Sequence, residues 1–127
     1  MRIFWSKAPL SLAELGALGE RHAARVLRAK GYRLVESNFA VPQGELDLIA
    51  RDGETLVFVE VRTRTSEEAM SPLASVNLHK QQRVIRAGRA YRRARRLGEC
   101  PIRYDVVEVI ATPRGRVVEV RHVEGAF

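Results

Sequence analysis

Asp47 and Glu60 are the residues best placed for chemistry, with Glu45 and Arg62 beside them in the stretch GELDLIARDGETLVFVEVRTR from Gly44 to Arg64. Carboxylates gathered on an apolar background are costly. Like charges facing each other destabilise a sheet, and a desolvated carboxylate resists ionising. Such a cluster persists where a cation relieves it. Arg62 is one such cation, and a hard divalent metal, which prefers carboxylate oxygens, is another. The plainer alternative is a solvated strand end with an Arg–Glu pair.

Two strands and a tight turn must bring these acids together. Asp52-Gly53 is a strong hairpin signal, and Gly supplies the positive φ that such a turn needs. Before it Glu45, Asp47 and Ile49 alternate with Leu46, Leu48 and Ala50; after it Leu56, Phe58, Glu60 and Arg62 alternate with Val57, Val59 and Val61. Period-two alternation puts each set on one face. With Asp52 and Gly53 as the turn residues, Asp47 faces Phe58 and Glu45 faces Glu60, so Asp47 and Glu60 become diagonal neighbours about 7–8 Å apart.

Upstream, Ser11 to Lys30 is expected to form a helix. Ser11 and Glu14 make a capping box and Gly31 is the stop. Leu12, Gly16, Gly19, Ala23, Val26 and Leu27 form its inner side, the glycines allowing close approach to a sheet, with Glu20 at the edge of the stripe. Tyr32 to Phe39 reads as a strand, and Ala40 to Gly44 as a loop broken by Pro42 and Gly44. Downstream, Thr65 to Val76 reads as a mobile polar loop flanking the acids. Asn77 caps a second helix running to about Leu97, with Gly98 as its stop and Val84, Ile85, Gly88 and Tyr91 inside. Ile102 to Ile110 and Val117 to Val123 are strands joined by a turn at Thr112 to Gly115, and Asp105 is a candidate further member of the polar cluster. The order α-β-β-β-α-β-β implies an α/β fold, a mixed five-stranded sheet flanked by helices, with the second helix as a right-handed crossover.

The 127 residues suit one domain, with residues 1–10 as an arm whose Arg2, Phe4, Trp5 and Lys7 either pack on the body or stack on bases. A hydrophobic content of 46% argues against disorder. No apolar run is long enough to span a bilayer, and the N-terminal segment lacks the core and cleavage site of a signal peptide. Cys100 is the one cysteine, which points to a reducing, cytoplasmic setting. The net charge of +7 and pI near 10.5 favour a polyanionic partner, with nucleic acid the usual one. Between Lys80 and Arg96 the second helix carries Lys80, Arg83, Arg86, Arg89, Arg92, Arg93, Arg95 and Arg96 and no acid. Such a run is either a solvated basic face or a surface for phosphates; its unpaired density favours the second.

An acid on a strand, a tight turn and then acid-x-basic closing an apolar strand resembles the PD-(D/E)xK nuclease core. More closely, the chain resembles the bacterial YraN-like family, which is similar to archaeal Holliday-junction resolvases. The resemblance runs through ALGERHAARVL, SNFAVPQGELDLIARDGETLVFVEVRTR, NLHKQQRVIRAGRAY and RYDVVEV. It implies a restriction-endonuclease-like core and a metal-dependent endonuclease acting on nucleic acid, in particular branched or duplex DNA, as a homodimer. By the same resemblance Asp47 and Glu60 are ligands of Mg²⁺ or Mn²⁺, with the carbonyl of Val61 as a further ligand. Glu20 matches the acid of the first helix, and Arg62 stands where the motif has lysine. Leu46 stands where the motif has proline. An arginine stays charged at all working pH values, so Arg62 suits phosphate binding or charge stabilisation rather than base catalysis. A non-catalytic nucleic-acid-binding module on the same fold is the alternative, and a protein-interaction partner in DNA processing a third possibility.

Overall fold

Ser11 opens the first helix, α1 (Leu12–Ala29), with a complete capping box: its backbone N–H donates to the Glu14 carboxylate at 2.8 Å, and its hydroxyl accepts from the Glu14 N–H at 3.1 Å. The computed structural model describes residues 8–66 and 77–127. The expected roles of residues 1–7, and of 67–76 in the polar loop, lie outside the described residues.

α1 ends in a Schellman motif, Tyr32 N–H to the Leu27 carbonyl and Gly31 N–H to that of Arg28, with Gly31 at φ 93°. Its buried row is Leu15, Gly19, Ala23 and Leu27, spaced four apart, whereas Leu12 is 89% exposed. The expected stripe was therefore rotated by part of a turn. Gly19 is the glycine that the packing needs: a Cβ there would lie 1.7 Å from Oγ1 of Thr63, while at Gly16 it would meet open space.

Three strands follow: β1 (Arg33–Val41), β2 (Gly44–Asp52) and β3 (Thr55–Thr65). The expected loop at 40–44 shrinks to Pro42 and Gln43, because Ala40 pairs with Glu45 and Val41 with Gly44. Gly44 is a strand residue whose missing Cβ makes room for the backbone carbonyl of Arg83, 2.2 Å from where a Cβ would sit. The β2–β3 register differs from expectation as well. Asp52 pairs with Thr55 and Ile49 with Phe58, so the turn residues are Gly53 and Glu54. Positive φ falls on Gly53 alone (59°), the demand of a type II′ turn, which wants glycine first and an ordinary residue second.

Helix α2 (Leu78–Ala94) is capped by Asn77, whose side chain accepts from the Lys80 N–H at 2.9 Å. It stops three residues before Leu97. Arg96 takes the left-handed conformation (φ 53°), and Leu97 N–H to Arg92 carbonyl with Arg96 N–H to Arg93 carbonyl repeat the Schellman pattern without glycine. β4 (Ile102–Ala111) and β5 (Val117–Val123) complete a five-stranded sheet of order β1-β2-β3-β4-β5. Only β3 and β4 are parallel, and α2 is their crossover. The fold is the expected mixed α/β sheet.

Each face has its own core. On the α1 side Ala23 and Leu27 meet Leu48, Ala50, Val57, Val59, Val107 and Val109. On the α2 side Val84, Ala87 and Tyr91 meet Leu46, Ile49, Leu56 and Phe58. Leu46 and Leu48, two apart on one strand, thus belong to opposite cores. The alternation of β2 breaks at the residue between them, Asp47.

Candidate metal and nucleic-acid site

Asp47 and Glu60 sit where the central hairpin opens. The ladder runs from Asp52–Thr55 to Leu48–Val59 and stops, and the next residues outward are Asp47 and Glu60. Asp47 Oδ2 instead accepts the backbone N–H of Val61 at 2.8 Å. Glu60 follows Phe58 on the α2 side and is only 5% exposed. The shifted register places the two acids opposite one another rather than on a diagonal.

Glu45, Asp47, Glu60 and Val61 line one cleft of about 300 Å³ together with Lys80, Arg83 and Val84 of α2. The Lys80 ammonium lies 2.8 Å from Oε2 of Glu60. Burial, and next the charge of Glu60, push the Asp47 carboxyl up to about 7, against the lowering effect of the Val61 N–H. Glu20, half-exposed on α1, is also raised by burial, with Glu45 and Glu60 adding to the effect and a hydrogen bond with Asn38 opposing it. Four acids therefore share one electrostatic neighbourhood. Among the described residues no three His, Cys, Asp or Glu side chains converge as a metal-holding group.

Arg62 lies two residues beyond Glu60 on β3. It stands in register with Glu108 across the parallel β3–β4 ladder and does not line the acid cleft. Glu108 is fully buried and accepts from Arg64 at 3.2 Å and Arg121 at 3.1 Å. That buried ion group went unnoticed in the sequence, though a lone glutamate within the apolar run Val106 to Ile110 was a signal for it. Asp105 does not join the acid cleft. It is fully buried on the α1 side, where it accepts from Arg103 (2.8 Å), the Gly125 N–H (3.0 Å) and, at 2.8 Å, pairs with His122 Nε2. Burial raises its carboxyl, but Arg103, His122 and Gly125 outweigh that and hold it below the ordinary range.

The basic residues of α2 divide. Lys80 turns to Glu60, and Arg95 pairs with Glu36 of β1, which also accepts from the Tyr91 hydroxyl at 2.7 Å. Arg83, Arg86, Arg89, Arg93 and Arg96 are exposed and Arg92 is half-buried. No helix among the described residues is long and apolar enough to cross a membrane.

The sequence profile of the uncharacterised protein family UPF0102 matches residues 19–109. The chain belongs to this family. The matched span runs from the Gly19 contact through the acid cleft and all of α2 to β4, so it includes the four acids, Arg62 and the basic residues of α2. UPF0102 proteins of similar sequence include one from Chlorobium chlorochromatii, 43% identical over 94% of this chain and 95% of its own length. Another, from Geotalea uraniireducens, is 41% identical over 89% of this chain and 88% of its own length. A third, from Dictyoglomus turgidum, is 36% identical over 90% of this chain and 97% of its own length. Membership of UPF0102 agrees with the YraN-like resemblance of the sequence.

Proposed function

We propose that this UPF0102 protein is a divalent-metal-dependent endonuclease that hydrolyses phosphodiester bonds in DNA. The supporting observation is the open end of the hairpin, where Asp47 and Glu60 face each other in one cleft and burial with mutual repulsion lifts Asp47 to about 7. Acids in that state invite a cation. The donor set is all oxygen, which suits Mg²⁺ or Mn²⁺. Two carboxylates are enough, because Mg²⁺ is usually held by one or two protein carboxylates, water and substrate phosphate oxygens. Asp47 and Glu60 would hold the ion, with the Val61 carbonyl near and Glu20 at the margin.

When bound, such an ion lowers the pKa of a coordinated water and offsets charge on the scissile phosphate. The chain's own residues do the rest. Asp47 and Glu60 orient the oxygen ligands. Lys80 and Arg83, on the far wall of the cleft, hold non-bridging phosphate oxygens and offset the charge that grows in the transition state. The exposed arginines of α2 draw in the sugar-phosphate backbone without regard to sequence. Pairing of two copies, as resolvases use on four-way junctions, would give two symmetric cuts.

The test is a set of labelled junction, flap, duplex and single-stranded DNAs incubated with Mn²⁺. Cleavage by the wild-type chain, abolished in Asp47→Ala and Glu60→Ala while binding survives, is the expected result. Cleavage by either variant at the wild-type rate would remove the basis of the proposal. One observation favours a non-catalytic binding module: Arg62 stands where the motif has lysine and is not among the residues that line the cleft. DNA binding without Mn²⁺ uptake or cleavage of any of the four substrates would decide for that module.

A further inference from the structure

α2 carries a basic residue at every third position from its first turn to its last: Lys80, Arg83, Arg86, Arg89 and Arg92. The first two line the acid cleft. The last two line a separate hollow of about 440 Å³, with Arg93, Arg96 and Leu97. In a helix of 3.6 residues per turn, a step of three falls short of a full turn by about 60°. The five side chains therefore form one ridge that winds through about 240° over a rise of about 18 Å. Neighbours along it stand about 5–6 Å apart at Cβ, comparable with successive phosphates of one strand.

The packed side of α2 is Val84, Ala87, Gly88 and Tyr91, so the ridge passes round the outside of the helix. Its middle members, Arg83, Arg86 and Arg89, are exposed. At its far end Arg92 has a buried Nε with no hydrogen-bond partner among the described residues. The rest of the half-buried Arg92 side chain lines the hollow beside Arg89, Arg93 and Arg96, where an anionic oxygen would meet several guanidinium groups.

We infer that the ridge is a track for a single-stranded polynucleotide, seating about five successive phosphates from the acid cleft to the Arg92 hollow. A flat anionic surface meets only one side of a helix and cannot touch a row that turns this far. A stiff duplex meets one side of the helix, so it can reach the face of Arg86, Arg89 and Arg93 but not the whole row. A flexible strand with evenly spaced charges can follow it. The substrate of the proposed endonuclease is then a DNA with an unpaired stretch of about five nucleotides beside the cut. The cleft end of this inference rests on the nuclease proposal; the binding measurement below does not.

Fluorescence anisotropy of labelled oligothymidylates of two to twelve nucleotides, in EDTA so that no cleavage intervenes, tests it. Affinity is expected to climb to about five nucleotides and then level, and the ten-nucleotide strand to bind at least tenfold tighter than a ten-base-pair duplex. The salt slope should approach −3.5, at about −0.7 per neutralised phosphate. Arg89→Gln with Arg92→Gln should erase the gain beyond three nucleotides and reduce the slope by about 1.4, while Arg21→Gln with Arg25→Gln on α1 leaves both unchanged. Duplex binding as tight as single-stranded, a flat length dependence, or equal losses in the two double variants would overturn the track. Because no divalent ion is present, any of these would leave the cleavage proposal standing, and absent cleavage would leave the track standing.

Discussion

The ammonium of Lys80 lies 2.8 Å from Oε2 of Glu60, joining the first turn of α2 to a carboxylate only 5% exposed on β3. It lines the same cleft as Asp47 and Glu60, so it competes with any cation that Glu60 would hold. Removing it leaves a buried charge without its counter-ion. Lys80→Met is therefore expected to lower the stability of the metal-free protein by about 1 kcal/mol or more and to tighten Mn²⁺ binding about tenfold. Thermal unfolding and calorimetric titration read the two effects. Weaker Mn²⁺ binding in this variant would show that the ammonium does not compete for Glu60.

Asp47 gives a pH dependence of definite sign. Its carboxyl is raised from 3.8 to about 7 in the folded chain, first by burial and then by Glu60. Between these values the folded state binds more protons than the unfolded one, so stability falls as pH rises through that window. Asp47→Asn is expected to stabilise the metal-free protein by about 1–3 kcal/mol at pH 8 and to change it little at pH 4. Unfolding curves at the two pH values check this. Excess Mn²⁺ should raise the melting temperature of the wild type and not of the variant.

Glu36 acts in the opposite sense. The Arg95 guanidinium first, then the Tyr91 hydroxyl, hold its carboxyl down at about 2. The unfolded chain then binds more protons at low pH, so its contribution is complete above about pH 4.5 and is lost as pH falls toward 2. Glu36→Gln should lower stability at neutral pH, change it little near pH 2, and so flatten the acid side of the stability profile. Acid titration followed by circular dichroism measures it.

The two glycines of α1 should respond in opposite directions. Gly16→Ala meets open space and is expected to stabilise by about 0.5–1 kcal/mol through helix propensity. Gly19→Ala drives a Cβ into Thr63 and should cost about 1–3 kcal/mol. Gly44→Ala collides with the Arg83 backbone, which cannot rotate aside as a side chain can, so it should cost at least as much and disturb the α2 wall of the cleft. Denaturant unfolding of the three variants gives the comparison.

Much of the fold was legible because its signals are local. The Ser11–Glu14 box, the Asn77 cap and the alternation of β3 each rest on residues within one turn or one strand. Errors came where a distant contact outweighed a local preference. Arg96, not Gly98, ends α2: Arg95 pairs with Glu36 of β1 and the chain turns away at once. Leu12 stayed outside the core because the sheet receives the row Leu15, Gly19, Ala23 and Leu27. Asp105 and Asp47 look alike as acids in apolar strands. What separates them is the partners that β5 and the residues after it supply to Asp105 alone.

By itself, then, the sequence determined which acids stand on the central hairpin, the capped ends where both helices begin, and the basic run on α2, since each follows from residue type and short-range spacing. Tertiary structure alone decided that β2 and β3 part at Asp47 and Glu60, that Lys80 rather than Arg62 lines their cleft, and that Arg62 aligns with buried Glu108. The reason is physical: strand register and charge pairing depend on which elements pack across the sheet, and no window of neighbouring residues contains that information.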